Sequence, residues 1–582
     1  MKKTLAFIVC ISFALFPALS ATKTVDVTAL GTSRAFTQTA AEAELSAQTS
    51  DYEVNADNVE LYGSGSSVMT IENGALISNA DGEQKTMFKK DVFYSRNLEV
   101  SWSMSPTTRM GEINGGVYFF ADRVGSSYAS IYGLSVTVKH VEGEPYYQVF
   151  LRSFLGRYIN DEQKTGKQRY DGDRISLKLL VDDEDIYLYI GDSDVPSMTK
   201  RVKDTSQTGA QIGFRSYNAA MRIDDITVSD TPVKPNVKTV KMLMIGNSFA
   251  QDAMTYVHEI ARADGVNFIA GALFYGGCRL DQHYDFVRNN ENVYTLFKNG
   301  ITDETNVTFF DAIYDEDWDI ITFQNTSTLA GVYETWYPYI SYLVSLTETL
   351  LPNVEIGIHF TWASSYFMQG RNDRKLENYN DSTDVAHRMA KAMIPVILEE
   401  TGTEFIVPCG EAVYAMHGTE VCDATSLATS FNRDETCHLN EKGRYLVAGT
   451  VYRTVTGRPF TGNTFAPYGH SYGSDDGPDQ RTREVSQRVA DKVFTELGYP
   501  SLNWFDEKVV LEKLDVTAVR MAYKEGEYFD YKHTYVTAYY SDGTKEDTKL
   551  FTIDLRRPLK TTDTNIVVSY RGKSVTIPII VT

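Results

Sequence analysis

Short runs of alternating apolar and polar residues fill the first part of the chain, from Val68 to Asp230. Alternation with a period of two is typical of half-buried β-strands, and glycine and aspartate separate the runs as turn residues do. We expect strands at 98–104, 116–120, 146–151, 175–181, 186–190 and 221–228. Many short strands without a helical period predict an antiparallel β-sandwich.

The pattern changes after 231–236, a linker with two prolines and no apolar period. Apolar runs then alternate with stretches whose apolar residues recur at helical spacing. The runs are 241–245, 319–323, 354–360 and 404–407, and the helical stretches are 253–263, 338–350, 384–400, 441–454 and 481–497. This alternation predicts a parallel sheet flanked by helices.

A period of two returns after Trp504, which indicates a further β domain. With 582 residues the chain is too long for one core. We therefore expect a leader at 1–20, a β-sandwich domain at 21–232, an α/β domain at 238–500 and a small β domain at 508–582.

The formal net charge of −21 argues against nucleic acid as a partner. Acidic surfaces repel phosphate backbones, and no basic cluster offsets the excess. At the N-terminus, Lys2 and Lys3, the apolar run 4–15 and Ala18-Leu19-Ser20 predict a signal peptide cleaved after Ser20. We expect a secreted, cell-surface or periplasmic protein without membrane insertion, because no later run reaches about 18 apolar residues.

A candidate nucleophile lies where the first strand of the α/β domain turns into a helix. Gly246, Asn247 and Ser248 occupy this turn. A helix start at the carboxyl edge of a sheet stabilises developing negative charge. Ser248 is either a nucleophile or the N-cap of the helix, and the turn alone leaves both interpretations open.

Further blocks follow the Gly-Asn-Ser-Phe turn in a fixed order. They are Tyr-Gly-Gly-Cys at 275–278, Phe-Gln-Asn-Thr-Ser at 323–327, His-Phe-Thr-Trp-Ala at 359–363, Pro-Cys-Gly-Glu-Ala at 408–412 and a His-Leu-Asn-Glu-Lys-Gly-Arg block at 438–444. Together they make residues 238–465 resemble the SGNH (GDSL-like) hydrolase superfamily, and they are similar to its DUF4886 branch. The resemblance implies a three-layer α/β fold and a serine hydrolase.

The resemblance also implies a Ser–His–acid mechanism, with Ser248 as the nucleophile and His438 as its base. The superfamily places an aspartate three residues before the histidine. Here that position is Glu435, and Asp434 lies one residue further back. Glu435 has the spacing of the family and Asp434 has its side chain. We favour Asp434, because the Asn-Arg-Asp start of this block is similar to the family's approach to its acid.

The oxyanion hole implied by the family has three donors. They are the N–H of Ser248, the N–H of Gly277 or Gly276, and a side-chain amide from the third block. That block reads Phe-Gln-Asn-Thr here, in place of Gly-x-Asn-Asp, so the amide is Gln324 or Asn325. We favour Gln324 because it directly follows the predicted strand.

The outer domains resemble known exported modules. The first is similar to concanavalin A or laminin-G-like jelly rolls, and the last to bacterial Ig-like domains of group 3, with Tyr-x-x-Gly-Glu at 523–527. Such a sandwich either binds polysaccharide or acts as a spacer. Its acidic run 182–185 is either a calcium site or a solvated turn. Four cysteines follow the predicted leader: Cys278, Cys409, Cys422 and Cys437. The sequence leaves open both free thiols and a Cys422–Cys437 disulfide.

These observations predict a secreted serine esterase that needs neither cofactor nor metal. Its expected substrates are acetyl or other short acyl esters, on carbohydrate or on small molecules. Arg433 and Arg444 flank the His block and bind either a substrate carboxylate or acids of the domain. The alternative function is a non-catalytic glycan-binding or adhesive surface protein with a degenerate hydrolase domain. Hydrolysis of a chromogenic short-acyl ester separates the two.

Overall fold

The computed structural model describes most of the chain after residue 51. Its ranges are 52–63, 67–123, 132–155, 158–182, 185–201, 209–363, 383–403, 405–423, 429–434, 437–468, 477–505, 511–518, 520–530, 533–541, 543, 545–548, 551–555, 557–570 and 573–582. The predicted signal peptide lies outside these residues.

Two antiparallel sheets form the N-terminal β-sandwich, which confirms the fold that the alternating pattern predicts. One sheet has the order β1-β4-β14-β6-β7-β8-β10, with β9 also paired to β8, and the other has the order β13-β12-β11-β5-β15-β3-β2. The strands are β1 Val59–Gly63, β2 Thr70–Glu72, β3 Ala75–Ile77, β4 Glu83–Phe88, β5 Leu98–Pro106, β6 Ile113–Arg123, β7 Tyr132–His140, β8 Tyr146–Leu155, β9 Tyr158–Lys164, β10 Gln168–Arg169, β11 Ile175–Asp182, β12 Asp185–Ile190, β13 Met198–Arg201, β14 Gln211–Tyr217 and β15 Met221–Ser229.

A seven-stranded sheet with helices on both faces follows, in the order β19-β18-β17-β16-β20-β21-β22. Its strands are β16 Lys238–Gly246, β17 Val266–Phe274, β18 Tyr294–Lys298, β19 Ile301–Val307, β20 Ile320–Phe323, β21 Glu355–His359 and β22 Phe405–Val407. Its helices are α1 Ser248–Met254, α2 Val257–Ala263, α3 Leu280–Asn289, α4 Phe309–Ile313, α5 Tyr339–Leu350, α6 Thr383–Thr401, α7 Cys409–Met416, α8 Glu441–Thr456 and α9 Gln480–Thr495.

The central strand β16 is buried on both faces. Met242 and Met244 belong to the apolar cluster that includes residues of α1, α2, α8 and α9. Leu243 and Ile245 belong to the cluster on the opposite face, with residues of α3, α5 and α6. Because successive side chains of a strand point to opposite faces, an uninterrupted apolar run supplies both cores of a three-layer domain.

The sheet is mixed, whereas the sequence pattern predicts a parallel one. Strands β17, β16, β20, β21 and β22 pair in parallel, but β18 and β19 add an antiparallel hairpin at one edge. Asn299 and Gly300 form its turn with φ of 51° and 74°. Asn-Gly is the strongest short-range hairpin signal, so this feature was legible in the sequence.

The predicted helix 253–263 is wrong in its bounds. The structure has two helices there, and α1 already begins at Ser248 while α2 begins at Val257. Both are short, and both bury apolar side chains against the sheet. Helical periodicity continues across the break, which is why a pattern of spacing alone does not reveal it.

Helix α2 joins the α/β domain to the β-sandwich. The His258 ring lies with Nδ1 2.8 Å from the Phe268 carbonyl oxygen and Nε2 2.8 Å from the Pro196 carbonyl oxygen. Arg262 donates from Nη2 to the Ile190 carbonyl at 2.5 Å. The two domains therefore contact each other directly through buried polar groups, in addition to the linker that joins them.

A third β unit ends the chain. It contains sheets in the orders β23-β25-β26 and β27-β28-β29 and the parallel pair β24-β30. The strands are β23 Leu511–Ala518, β24 Ala522–Tyr523, β25 Thr534–Tyr540, β26 Lys545–Thr548, β27 Thr552–Ile553, β28 Asn565–Tyr570, β29 Lys573–Pro578 and β30 Ile580–Val581. In the described part of the chain, no helix is both long and apolar enough to cross a membrane.

Candidate active site

Ser248 is the first residue of α1, at the carboxyl end of β16. The N-cap is Asn247, whose φ of −129° and ψ of −150° are extended and whose Oδ1 accepts from the Phe249 N–H at 3.1 Å. The capping role that the sequence left open for Ser248 therefore belongs to its neighbour. As a first-turn residue, Ser248 has a backbone N–H without an intrahelical acceptor.

A chain of buried side-chain hydrogen bonds lies directly behind Ser248. Asn247 donates from Nδ2 to the Cys278 carbonyl at 3.0 Å and accepts at Oδ1 from Gln324 Nε2 at 2.8 Å. Gln324 in turn accepts at Oε1 from His359 Nδ1 at 2.7 Å. Burial lowers the pKa of His359 to about 3, so the ring is neutral. The network joins the carboxyl ends of β16, β17, β20 and β21.

Gly246 makes room for this network. A Cβ at this position would lie 2.4 Å from Gln324 Cδ, which is closer than non-bonded carbon atoms approach. The amide of Gln324 therefore packs over the backbone just before Ser248. Any side chain at Gly246 would push that amide away from the turn.

The two side-chain amides proposed for the oxyanion hole differ in how many of their N–H groups already donate hydrogen bonds within the protein. Asn325 donates from Nδ2 to the Thr335 hydroxyl at 2.9 Å and to the Thr335 carbonyl at 3.2 Å. Gln324 donates to Asn247, and its second N–H has no acceptor among the described residues. Each amide has two N–H bonds, so Gln324 has one left for a ligand and Asn325 has none.

The glycine turn is exposed beside the same edge of the sheet. Tyr275 N–H donates to the Gly246 carbonyl at 3.2 Å, and Cys278 N–H donates back to the Tyr275 carbonyl at 3.1 Å. Gly277 has a φ of +63°, a conformation that glycine adopts without strain. The N–H groups of Gly276 and Gly277 donate to no described residue, so both are available as donors.

His438 lies in a loop that Asp434 and the backbone hold together. His438 Nδ1–H donates to Asp434 Oδ2 at 2.6 Å, with 34% and 38% of the two side chains exposed. The Arg433 N–H donates to the His438 carbonyl at 3.0 Å. With Nδ1 donating to a carboxylate, Nε2 of the neutral ring is an acceptor for a hydroxyl proton. Glu435 lies outside the described residues.

Asp252 attaches this loop to the helix of Ser248. Asp252 is fully buried and lies four residues after Ser248, so the two share one helix face. Its carboxylate accepts from the Leu439 N–H at 3.0 Å, from Arg433 Nη1 at 2.9 Å and from Arg444 Nε at 2.8 Å. Both arginines thus bind an acid of the domain.

An indole ring makes a second connection. The Trp362 ring lies 4.5 Å from the Phe249 ring, and its Nε1–H donates to the Cys437 carbonyl at 2.6 Å. Phe249 follows Ser248 and Cys437 precedes His438, so one buried side chain contacts the neighbours of both. Sequence reasoning did not assign Asp252 to the site. The detectable signal was an acidic residue at an apolar position of the α1 pattern.

Three acidic side chains outside this region come close enough to hold a metal ion. One ligand atom each from Asp303, Glu304 and Asp315 lies within 4.8 Å of the others. Lys298 Nζ already lies 2.6 Å from Asp315 and 3.4 Å from Asp303. The Lys298 ammonium group thus supplies the positive charge beside these carboxylates.

The acidic run 182–185 of the β-sandwich was the other candidate metal site. Of its residues, Asp182 pairs with Lys234 and Asp185 with Arg201.

All four cysteines after the predicted leader are free thiols, so the Cys422–Cys437 disulfide does not form. Cys278 and Cys409 are buried, and burial raises the pKa of each thiol well above its usual range. A buried, protonated thiol is a poor nucleophile. Neither Cys278 nor Cys409 is therefore a candidate nucleophile.

Similarity to solved structures is local to single domains. A DUF4886 family protein from Bacteroides uniformis ATCC 8492 is 28% identical, with 45% of this chain and 98% of that chain covered and a TM-score of 0.39. The carbohydrate-binding module CBM66 from Bacillus subtilis is 15% identical, with 30% and 95% covered and a TM-score of 0.23. The legume lectin-like domain from Entamoeba histolytica is 11% identical, with 30% and 91% covered and a TM-score of 0.24.

No curated protein matches the chain. Residues 241–474 match the model of a family described as "Domain of unknown function (DUF4886)", and this part of the chain therefore carries a DUF4886 domain.

Proposed function

We propose that the protein is a secreted serine esterase of the SGNH type that hydrolyses acetyl or other short acyl esters. The observation that carries this proposal is the contact between the Asp252 carboxylate and the Leu439 amide at 3.0 Å. It holds a His438–Asp434 pair beside the helix that Ser248 begins. We take this attachment as support for Ser248, His438 and Asp434 as the nucleophile, base and acid of one site.

In the proposed reaction Ser248 Oγ attacks the acyl carbon while His438 Nε2 takes the hydroxyl proton. Asp434 holds the ring in the tautomer with Nδ1–H and stabilises the imidazolium that forms. The oxyanion accepts from the N–H of Ser248, from the N–H of Gly277 or Gly276, and from Gln324. His438 then gives the proton to the leaving alcohol, and the acyl group stays on Ser248. In the second half of the reaction His438 takes a proton from water, the water attacks the acyl carbon, and His438 returns the proton to Ser248 Oγ as the acid is released.

A carbohydrate ester is the proposed natural substrate. The neighbouring segments of the chain support this substrate class. An N-terminal β-sandwich precedes the α/β domain, and residues 1–20 resemble a signal peptide. We further propose that the C-terminal unit is an Ig-like spacer that displays the enzyme outside the cytoplasm. This part of the proposal rests on domain association.

A chromogenic acetyl ester assay on the full chain tests the enzymatic part. We expect turnover that falls as the acyl chain lengthens, and none in the Ser248→Ala variant. A folded wild-type chain that turns over no acetyl, propionyl or butyryl ester would favour the alternative, a glycan-binding protein with a degenerate hydrolase domain. Acetyl release from acetylated polysaccharide then identifies the natural substrate class.

A further inference from the structure

The Gln324 amide can serve as an oxyanion donor only when its nitrogen end faces the turn that carries Ser248. The oxygen and nitrogen ends of an amide have nearly the same shape, but only the nitrogen end donates. In the structure the nitrogen end lies over the turn, since a Cβ at Gly246 would be 2.8 Å from Gln324 Nε2. Shape does not select this end, so polar contacts must hold it in place.

Backbone groups fix the direction of the hydrogen bonds on one side of this amide. The Phe249 N–H is only a donor and the Cys278 carbonyl is only an acceptor, so Asn247 turns Oδ1 to the first and Nδ2 to the second. Asn247 Oδ1 also lies 2.8 Å from Gln324 Nε2. An acceptor oxygen at this position favours the nitrogen end of the Gln324 amide.

His359 fixes the other side of the amide. Its Nδ1 lies 2.7 Å from Gln324 Oε1, and no other described side chain donates to that oxygen. A ring nitrogen that faces a carbonyl oxygen carries the proton, so His359 has the Nδ1–H tautomer. With the opposite tautomer, a nitrogen lone pair would face Oε1. Reversal of the amide would relieve that repulsion and would turn the oxygen end toward the Ser248 turn.

The surroundings of His359 favour the same tautomer. The side chain is 2% exposed, and Nε2 has no hydrogen-bond partner among the described residues. The Nδ1–H tautomer therefore leaves one ring nitrogen unsatisfied, whereas the Nε2–H tautomer would leave both, at a higher cost in free energy. Burial also lowers the pKa of His359 to about 3, so the ring does not take up a second proton near neutral pH.

We propose that His359 is a positioning residue of the oxyanion hole, whose Nδ1–H holds the Gln324 amide with its nitrogen end toward the Ser248 turn. This inference rests on the proposed esterase function and deepens it, because Gln324 is one of the oxyanion donors of that site. One N–H of Gln324 donates to Asn247, and the second is left for the oxyanion. A donor that is oriented before the substrate arrives stabilises the transition state without a cost of reorganisation.

The variants His359→Asn and His359→Leu form a matched pair that tests the role of the donor. Asparagine and leucine branch at the same atom and are nearly equal in size, so both leave a similar gap where the ring was. Asparagine brings an N–H donor near the position of Nδ1, and leucine brings none. We expect His359→Leu to lower kcat for a chromogenic acetyl ester by about 10²–10³ with KM little changed, which is the effect of losing one oxyanion donor. The kcat of His359→Asn should exceed that of His359→Leu by at least about tenfold.

Urea unfolding of the same samples separates positioning from stability. The second polar atom of asparagine would be buried in this site, so His359→Asn should be no more stable than His359→Leu. A higher kcat of His359→Asn then has its cause in the donor.

The substitution Gln324→Met shows whether His359 acts through the amide. Methionine has a similar length and no amide. In a chain that already carries Gln324→Met, His359→Asn and His359→Leu should have equal kcat, because no amide is left to orient.

The protonation of the ring gives a measurement that needs no turnover. Long-range proton–nitrogen correlation spectra of the full chain with isotope-labelled histidine report which ring nitrogen carries the proton. The signal that disappears in His359→Asn should show the proton on Nδ1 near neutral pH. If neither His359 variant folds, the same signal is identified by its shift in Gln324→Met.

A proton on Nε2, or on both ring nitrogens, would overturn the inference whether or not the protein is an esterase. Equal kcat of His359→Asn and His359→Leu in an active chain would also overturn it and would leave the esterase function standing. A wild-type chain that has the Nδ1–H tautomer but hydrolyses no ester would instead overturn the proposed function, and with it the role of this amide in catalysis.

Discussion

The Leu439 amide donates to the buried Asp252 carboxylate at 3.0 Å across 187 residues of sequence. This bond joins the loop of His438 to the helix of Ser248. Arg433 and Arg444 donate to the same carboxylate, so one anion organises three donors. The relative placement of Ser248 and His438 depends on this bond.

Asp252→Ala should therefore lower both stability and turnover. The substitution leaves two guanidinium groups beside a buried gap, and breaking a buried ion pair from one side costs about 3–5 kcal/mol. Asp252→Asn keeps an oxygen acceptor for Leu439 and should lose less. Urea unfolding and ester hydrolysis measure the two effects.

Glu420→Ala is the matched control, because Glu420 pairs with Arg481 at the surface, where more than half of both side chains is exposed. Exposed pairs contribute little, so stability and turnover should barely change. Wild-type stability and turnover in Asp252→Ala would contradict the organising role of that carboxylate.

Ser248→Ala and His438→Ala should each abolish nearly all hydrolysis, and the double variant should be no worse than either one. Members of a catalytic triad act as a unit, so their losses do not add. Thermal melting of Ser248→Ala should stay near wild type, because Asn247 caps the helix. Steady-state kinetics and melting curves on the same samples decide this.

The control for that pair is Asn247→Ala. It removes the helix cap, which alone costs about 0.5–2 kcal/mol, and also the bonds to Cys278 and Gln324. It should therefore melt well below wild type. Additive losses in the double variant, with Ser248→Ala destabilised as much as Asn247→Ala, would make Ser248 a structural residue.

The period of the apolar pattern predicted much of the fold. Alternation identified the sandwich strands, and the apolar run before Ser248 placed that residue at a strand-to-helix turn. The residue pair Asn299-Gly300 was a further local signal, because Asn-Gly favours a hairpin turn and so indicates the β18–β19 hairpin. Asparagine is at least as good an N-cap as serine, so the capping role of Asn247 was within reach of sequence reasoning too.

Contacts between distant residues were not predictable. Nothing local to Asp252 indicates that Leu439 and two arginines will meet it, because that depends on how the sheet and helices assemble. The buried chain from Asn247 through Gln324 to His359 is of the same kind. Motif order suggested which residues belong to the site, and packing supplied what holds them there.

Asp434→Asn should reduce turnover by orders of magnitude with KM little changed. An amide cannot stabilise the imidazolium, and it can stabilise the wrong tautomer of His438. Glu435→Gln is the comparison in the adjacent position and should cost far less. Steady-state kinetics of both variants against one soluble ester rank the two acids. The reverse ranking would move the orienting role to Glu435, and two mild effects would leave it to a backbone carbonyl or water.

Gln324→Glu should lower kcat by about 10²–10³ with little change in KM, since losing one oxyanion donor has that effect. The glutamate keeps an oxygen for His359 but brings a negative charge to the developing oxyanion. Asn325→Ala is the control, because the side-chain N–H groups of Asn325 already donate to Thr335. It should act on stability more than on kcat. A larger kcat loss in Asn325→Ala than in Gln324→Glu would assign the donor to Asn325.

Buried neutral histidines should make the α/β domain acid-sensitive. Burial lowers the pKa values of His283 and His359 to about 3, against about 6.5 in an unfolded chain. Between these values the unfolded state takes up protons that the native state does not. The free energy of unfolding is therefore undiminished above about pH 6.5 and falls as pH drops, by up to about 1.4 kcal/mol per pH unit for each ring.

His283→Phe tests this with one ring. The variant loses the 2.9 Å hydrogen bond between His283 Nδ1 and the Tyr294 hydroxyl, and should be less stable than wild type near neutral pH. Its stability should nevertheless decline less steeply on acidification, because one proton-binding difference has gone. Urea unfolding at about pH 7, 6, 5 and 4 measures both slopes. His533→Phe is the control, because His533 is exposed in the C-terminal unit, and it should leave the pH dependence of α/β domain unfolding unchanged. If the free energy of unfolding of His283→Phe falls with pH as steeply as that of wild type, His283 does not contribute to the acid sensitivity.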